Sequence, residues 1–149
     1  MIKAKYPVNK FSDIPTPFYY YDLDVLRASL AEIKKQVEGQ PFVVHYALKA
    51  NVNKEVLKTI KEAGFGADCV SGGEVQAALD AGIVPAKVVF AGVGKADWEI
   101  NLGLDNDIFC FNVESIPELE VIDELARAKG KTAKVALRIN PNVSANTHH

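Results

Sequence analysis

From residue 22 onward the sequence switches repeatedly between two hydrophobic periods, and no other feature limits its fold as much. In "DLDVLRASLAEIKKQVEG", Leu23, Leu26, Leu30, Ile33 and Val37 recur at helical spacing and Gly39 closes the run. "FVVHYALK" follows and reads as a strand. "NKEVLKTIKEAG" is helical and ends at Gly64, and "GADCV" is a short strand. "SGGEVQAALDAG" opens with Ser71 and Glu74 in capping-box spacing. "KVVFAG" is a strand, "KADWEINLGL" a helix and "DIFCFNV" a strand. "SIPELEVIDELARAKG" is again opened by Ser-x-x-Glu (Ser115, Glu118) and closed by Gly130, and "KVALRIN" is the fifth strand. Strands that alternate with helices across short connections form a parallel sheet with right-handed crossovers.

Two parallel architectures compete: an open doubly wound sheet and a (β/α)8 barrel. The open sheet usually carries a glycine-rich phosphate turn after its first strand. Here that turn is "KANVN", without glycine. Residue parity adds a second argument, since alternate strand residues face opposite sides. Phe42, Val44, Tyr46 and Leu48 share one face of the first strand, and Val43, His45, Ala47 and Lys49 share the other. Phe109, Phe111 and Val113 oppose Ile108, Cys110, Asn112 and Glu114. Val135, Leu137 and Ile139 oppose Lys134, Ala136 and Arg138. One face of each strand is apolar and suits covering helices, and the other carries small or polar groups near its C-terminal end. That asymmetry favours a barrel. Five strands are present where a barrel needs eight, and closing it takes about 90 more residues. The chain also stops straight after a strand, so it reads as the first part of a longer protein. The alternative is a small complete domain with a frayed tail.

The bulk numbers exclude several classes. A formal net charge of −2 offers no electrostatic draw to nucleic acid or an acidic membrane surface. No apolar run approaches the roughly 20 residues of a membrane span. The N-terminus lacks an apolar signal core, which reads as cytoplasmic and unprocessed. Cys69 and Cys110 lie in apolar strands without a CxxC partner, so both are expected to be buried free thiols and no metal site is expected.

In a barrel the working residues sit where strands end. Lys49, Asp68, Glu114 and Arg138 occupy such positions, and helices begin nearby at Ser71 and Ser115, with N–H groups open to anions. A lysine held on a buried strand loses hydration, and a neutral amine forms a Schiff base with a carbonyl. The plainer role for Lys49 is a lysine snorkelling to solvent. Asp68 either orients that lysine or caps a turn. Glu74 either reaches a cofactor or only completes the capping box with Ser71. Arg138 either binds an anion or pairs with Glu114. His45 points inward by parity, as a hydrogen-bonded core histidine.

The stretches "TPFYYYDLDVLR", "HYALKAN", "GADCVSGGEVQAALDAG", "VVFAGVGK", "FNVES" and "LRINPNV" closely resemble the diaminopimelate decarboxylase branch of the barrel-type pyridoxal-phosphate (PLP) enzymes. The six motifs run in order from Thr16 to the end of the chain. The resemblance implies an α/β fold: the N-terminal part of a PLP-binding (β/α)8 TIM-type barrel, residues 23–149, without its C-terminal β-domain. Residues 1–22 would pack with that missing domain. It implies that Lys49 carries PLP as a Schiff base, with Asp68, Glu74 and Arg138 at the cofactor. The implied reaction is decarboxylation of meso-2,6-diaminopimelate to L-lysine and CO2 by a homodimer, with no nucleic-acid or membrane partner. The final His148-His149 fits the family's continuation after "NPNV". The 149 residues alone are expected to be inactive and poorly stable. Alternatives are another PLP decarboxylase (ornithine, arginine or carboxynorspermidine type), a racemase, or a non-catalytic PLP-binding remnant.

Overall fold

The computed structural model describes residues 6–143; the first five residues and the tail from 144 to 149, including His148-His149, lie outside the described residues. Five helices and five strands alternate in the expected order: α1 (Leu23–Val37), β1 (His45–Ala47), α2 (Lys54–Glu62), β2 (Gly66–Cys69), α3 (Gly72–Asp80), β3 (Val88–Phe90), α4 (Asp97–Asp105), β4 (Cys110–Val113), α5 (Ile116–Ala128) and β5 (Val135–Leu137). All neighbouring strands are parallel, and their order in the sheet is β1-β2-β3-β4-β5.

That order separates the two candidate architectures. A doubly wound sheet reverses its strand order and puts helices on both faces. Here the order never reverses. Ala67 and Cys69 of β2, Val88 and Phe90 of β3, and Phe111 and Val113 of β4 are buried in one core with Val75, Ala78, Ile100, Leu104, Ile122 and Ala126 from α3, α4 and α5. A second cluster, Leu30, Val56, Ile60 and Phe65, continues the same layer under α1 and α2. The other face presents Gly66, Asp68, Val89, Cys110 and Asn112. Four consecutive βα units and a fifth strand, with helices outside and this mixed face inside, form a barrel wall.

The helices start where their caps dictate. Asp22 accepts the N–H groups of Asp24 and Val25, and Asn53 accepts that of Glu55. Ser71 and Ser115 accept the N–H groups of Glu74 and Glu118. Each such bond satisfies a donor that has no partner within its helix.

Three expectations need correction. The strands are shorter than their apolar runs, because the ladder extends only where a neighbour is in register. Phe42 and Val43 are therefore exposed, and Lys49 falls past the end of β1. The parity of β4 also fails at its start. Asp107 has φ 52°, and this turn precedes the ladder. Ile108 consequently joins the core, while Phe109 is 46% exposed, with its ring centroid 6.2 Å from that of His45. Finally, no described helix covers the apolar side of β5, where Leu137 and Ile139 are exposed. No described helix is long and apolar enough to cross a membrane.

Gly103 shows how tightly α4 seats on β4. A Cβ there would lie 2.6 Å from Phe111 Cζ and 3.0 Å from Ile108 Cδ1, both on buried side chains. Alanine would gain about 1 kcal/mol of helix propensity. Overpacking a buried ring costs about 1–3 kcal/mol. Gly103→Ala is therefore expected to lower the midpoint of thermal unfolding; an unchanged or raised midpoint would show that α4 can lift off Phe111.

Candidate functional site

Every strand in a parallel wall points the same way, so all five C-terminal ends share one rim. At that rim a concavity of about 410 Å³ is lined by Lys49, Asp68, Val70, Ala91, Gly92, Asn112, Glu114, Ala136, Leu137 and Arg138. Four residues singled out from the sequence, Lys49, Asp68, Glu114 and Arg138, are thus brought together.

Lys49 is set by its neighbours. Leu48 is fully buried and anchors a one-turn 3-10 helix over Leu48–Ala50. Asn51 N–H closes that turn on the Leu48 carbonyl at 2.9 Å, and the Tyr46 hydroxyl donates to the Asn51 carbonyl at 3.1 Å. With Leu48 driven into the core, the next side chain emerges at the rim. The buried strand position expected for Lys49 is not found. The residue is exposed, because β1 ends at Ala47 and has a described neighbour on one side only.

Asp68 lies on the inner face of β2, beside Ala47 of β1 and Val89 of β3. Its Oδ1 is buried and has no hydrogen-bond partner, so it neither caps a turn nor pairs with Lys49. An unpartnered buried carboxylate oxygen is costly unless something else meets it. Among the described residues His45 Nε2 is the other such atom; its ring packs across Gly66, so the hydrogen bond expected of a core histidine is missing at that nitrogen.

The Glu114 side chain is 14% exposed and is held at both oxygens. Oε1 accepts the Gly92 N–H at 3.0 Å, and Oε2 accepts Arg138 Nη1 at 3.2 Å. The ion-pair alternative for Arg138 is therefore realised, on the rim itself. Gly92 has φ 101°, and a Cβ would lie 3.1 Å from the Val70 carbonyl oxygen, so only glycine fits comfortably there.

Glu74 is not brought into this lining. Its Oε2 accepts the Val70 N–H at 2.9 Å, completing the capping arrangement of α3. At the N-terminus of α3 one of the N–H groups expected to face anions is taken, because Glu99 Oε1 accepts the Gly72 N–H at 2.6 Å. Sequence reasoning missed Lys95, which is buried beside this rim. The signal was available: it follows the end of β3 within five residues, as Lys49, Glu114 and Arg138 follow the ends of β1, β4 and β5.

A match to the family described as pyridoxal-dependent decarboxylase, pyridoxal binding domain, covers residues 23–149. The chain belongs to this family. It is 62% identical over 148 residues to a diaminopimelate decarboxylase from Bacteroides thetaiotaomicron, covering 99% of this chain and 38% of that relative. It superposes with a TM-score of 0.90 on the crystal structure of diaminopimelate decarboxylase from Helicobacter pylori complexed with L-lysine. That comparison has 43% identity and covers 95% of this chain and 36% of the other. An arginine decarboxylase from Paramecium bursaria Chlorella virus gives a TM-score of 0.64 at 26% identity, over 78% of this chain and 32% of that one. The chain thus spans about a third of the length of these relatives. The expected barrel-type PLP family is confirmed.

The two thiols divide between the faces of the sheet. Cys69 is in the helix-side core, and burial, with the charges of Glu74 and Asp68 adding to it, pushes its thiol up to about 12. Cys110 is on the inner wall and only partly buried, contrary to expectation, with its thiol raised by that partial burial. Thiolate is the reactive form. Iodoacetamide at pH 8 is therefore expected to label Cys110 of the native protein well before Cys69, as read by peptide mass. Equal rates would mean that the helix layer opens readily.

Proposed function

We propose that this chain is the cofactor-bearing wall of a PLP-dependent decarboxylase that converts meso-2,6-diaminopimelate to L-lysine and CO2. The observation that carries the reading is the rim itself: exposed Lys49 lines the same concavity as Asp68, whose Oδ1 is buried and unpartnered. Those groups fit the ring end of PLP. An amine suits its aldehyde, Asp68 Oδ1 offers an acceptor beside the resulting cation, and Arg138 suits an anionic ring oxygen. The phosphate end finds less among the described residues, since the Gly72 N–H is already taken by Glu99.

PLP when bound supplies an electron sink for the carboxylate's bonding pair. The chain's own residues bind, orient and move protons around it. Lys49, whose amine would hold the cofactor's aldehyde, could when free carry a proton at the rim. Asp68 Oδ1, buried and without a partner, would accept a hydrogen bond from a cationic group held in the concavity. The Glu114–Arg138 pair fixes the guanidinium against the wall. Glu74 enters through Val70, whose N–H it holds. The choice of substrate rests on relatedness: similarity to diaminopimelate decarboxylases exceeds that to the viral arginine decarboxylase in both identity and TM-score.

The same reading takes residues 1–22 as a segment that packs against a further domain. Tyr6 and Tyr19 are 66% and 89% exposed, and Tyr20 and Tyr21 are exposed beside them. Contiguous aromatic surface of this kind commonly marks an interface. We infer a homodimeric enzyme, acting in the cytoplasm without nucleic-acid or membrane partners.

The test is intact mass after addition of PLP and borohydride reduction, on the 149-residue chain and on one extended to the length of its relatives. A pyridoxyl adduct is expected in the extended chain, lost in Lys49→Ala, together with CO2 release from meso-diaminopimelate. The 149 residues alone are expected to be inactive. An adduct that survives Lys49→Ala would overturn the assignment of Lys49.

A further inference from the structure

The rim holds a second lysine that no step above uses. The Lys95 side chain, in the loop between β3 and α4, is 2% exposed. Its Nζ donates to the Gly92 carbonyl at 2.8 Å, the Asn112 carbonyl at 3.0 Å and Glu118 Oε1 at 2.5 Å. It also lies 5.2 Å from the centroid of the Phe90 ring. An ammonium has three donors, and all three are satisfied.

Glu118 is nearly as buried, at 9%, and its second oxygen accepts the Glu114 N–H at 2.8 Å. Glu114 Oε1 accepts the Gly92 N–H, and Gly92 returns its carbonyl to Lys95. The contacts therefore close a ring: Lys95, Glu118, Glu114, Gly92 and back to Lys95. Gly92, Asn112 and Glu114 all line the concavity, and Glu114 carries Arg138.

A buried ion pair is poor evidence of a stabilising role, because a well-packed apolar pair often does as well. An apolar pair cannot supply direction. We propose that Lys95 is a positioning residue for the cofactor site: its ammonium locks the β3–α4 loop to the end of β4, so that Glu114 holds Arg138 at a fixed place on the wall. This inference rests on the cofactor reading above and deepens it.

The experiment uses the family-length protein and reads two quantities, the thermal midpoint and the Kd for PLP by equilibrium titration. Lys95→Met strands the Glu118 carboxylate and should worsen both. Lys95→Met combined with Glu118→Met replaces the pair by apolar side chains. Its midpoint is expected to recover, while the Kd for PLP stays raised about 10-fold or more, since small displacements at a site carry large penalties. Lys95→Arg keeps the buried charge, but its planar fork cannot converge on three acceptors as an ammonium does. It should hold the midpoint and still weaken PLP, so the test survives if the double variant does not fold. A wild-type Kd in Lys95→Arg, or in a folded double variant, would overturn the positioning role and leave the cofactor reading intact. Absence of the Lys49 adduct in the wild type would overturn both.

Discussion

Parallel strands cannot be joined by a hairpin, so each neighbouring pair in this sheet needs a crossover long enough to hold a helix. Because β1 to β5 follow one another without reversal, every crossover falls on the same side. The helix layer and the apolar strand faces then form one core, and the opposite face is left for small and polar groups. The same constraint collects all the strand ends on one rim. Lys49, Asp68, Glu114 and Arg138 come from four different strand ends, separated by up to 89 positions in sequence, and meet only because the strands run parallel.

The rim is held by carboxylates that serve two units at once. Glu99 completes its own helix start by accepting the Ala96 N–H and also accepts the Gly72 N–H of the preceding unit. Glu118 accepts the Glu114 N–H and binds Lys95 from the preceding loop. Glu114 reaches back to Gly92 and forward to Arg138. Helix capping and the registry between units are therefore one set of bonds. Gly72 permits the close approach this needs, since a Cβ there would lie 2.7 Å from the Trp98 ring.

Much of this was legible in the sequence. Helix and strand identity followed from local periodicity, and caps at Ser71 and Ser115 from Ser-x-x-Glu spacing. The apolar face of each strand followed from parity, except at Phe109, where a left-handed turn at Asp107 resets it. The strand ends were not legible. "FVVHYALK" is uniformly compatible with a strand, but only His45 to Ala47 find partners in β2. The two Ser-x-x-Glu motifs also look alike, yet Glu118 meets a buried lysine and Glu74 does not.

The sequence by itself determined the order and type of the elements, because periodicity and capping act over a few residues. It also carried the family's motifs, and with them the prominence of Lys49. Only the tertiary structure decided which charges are buried and what they touch. Lys95 sits in a glycine-rich loop and looks solvent-bound, but two of its acceptors arrive from Asn112 and Glu118, 17 and 23 residues later. Lys49 looks buried and emerges at the rim. Burial depends on neighbours brought together by the sheet, and no local pattern encodes them.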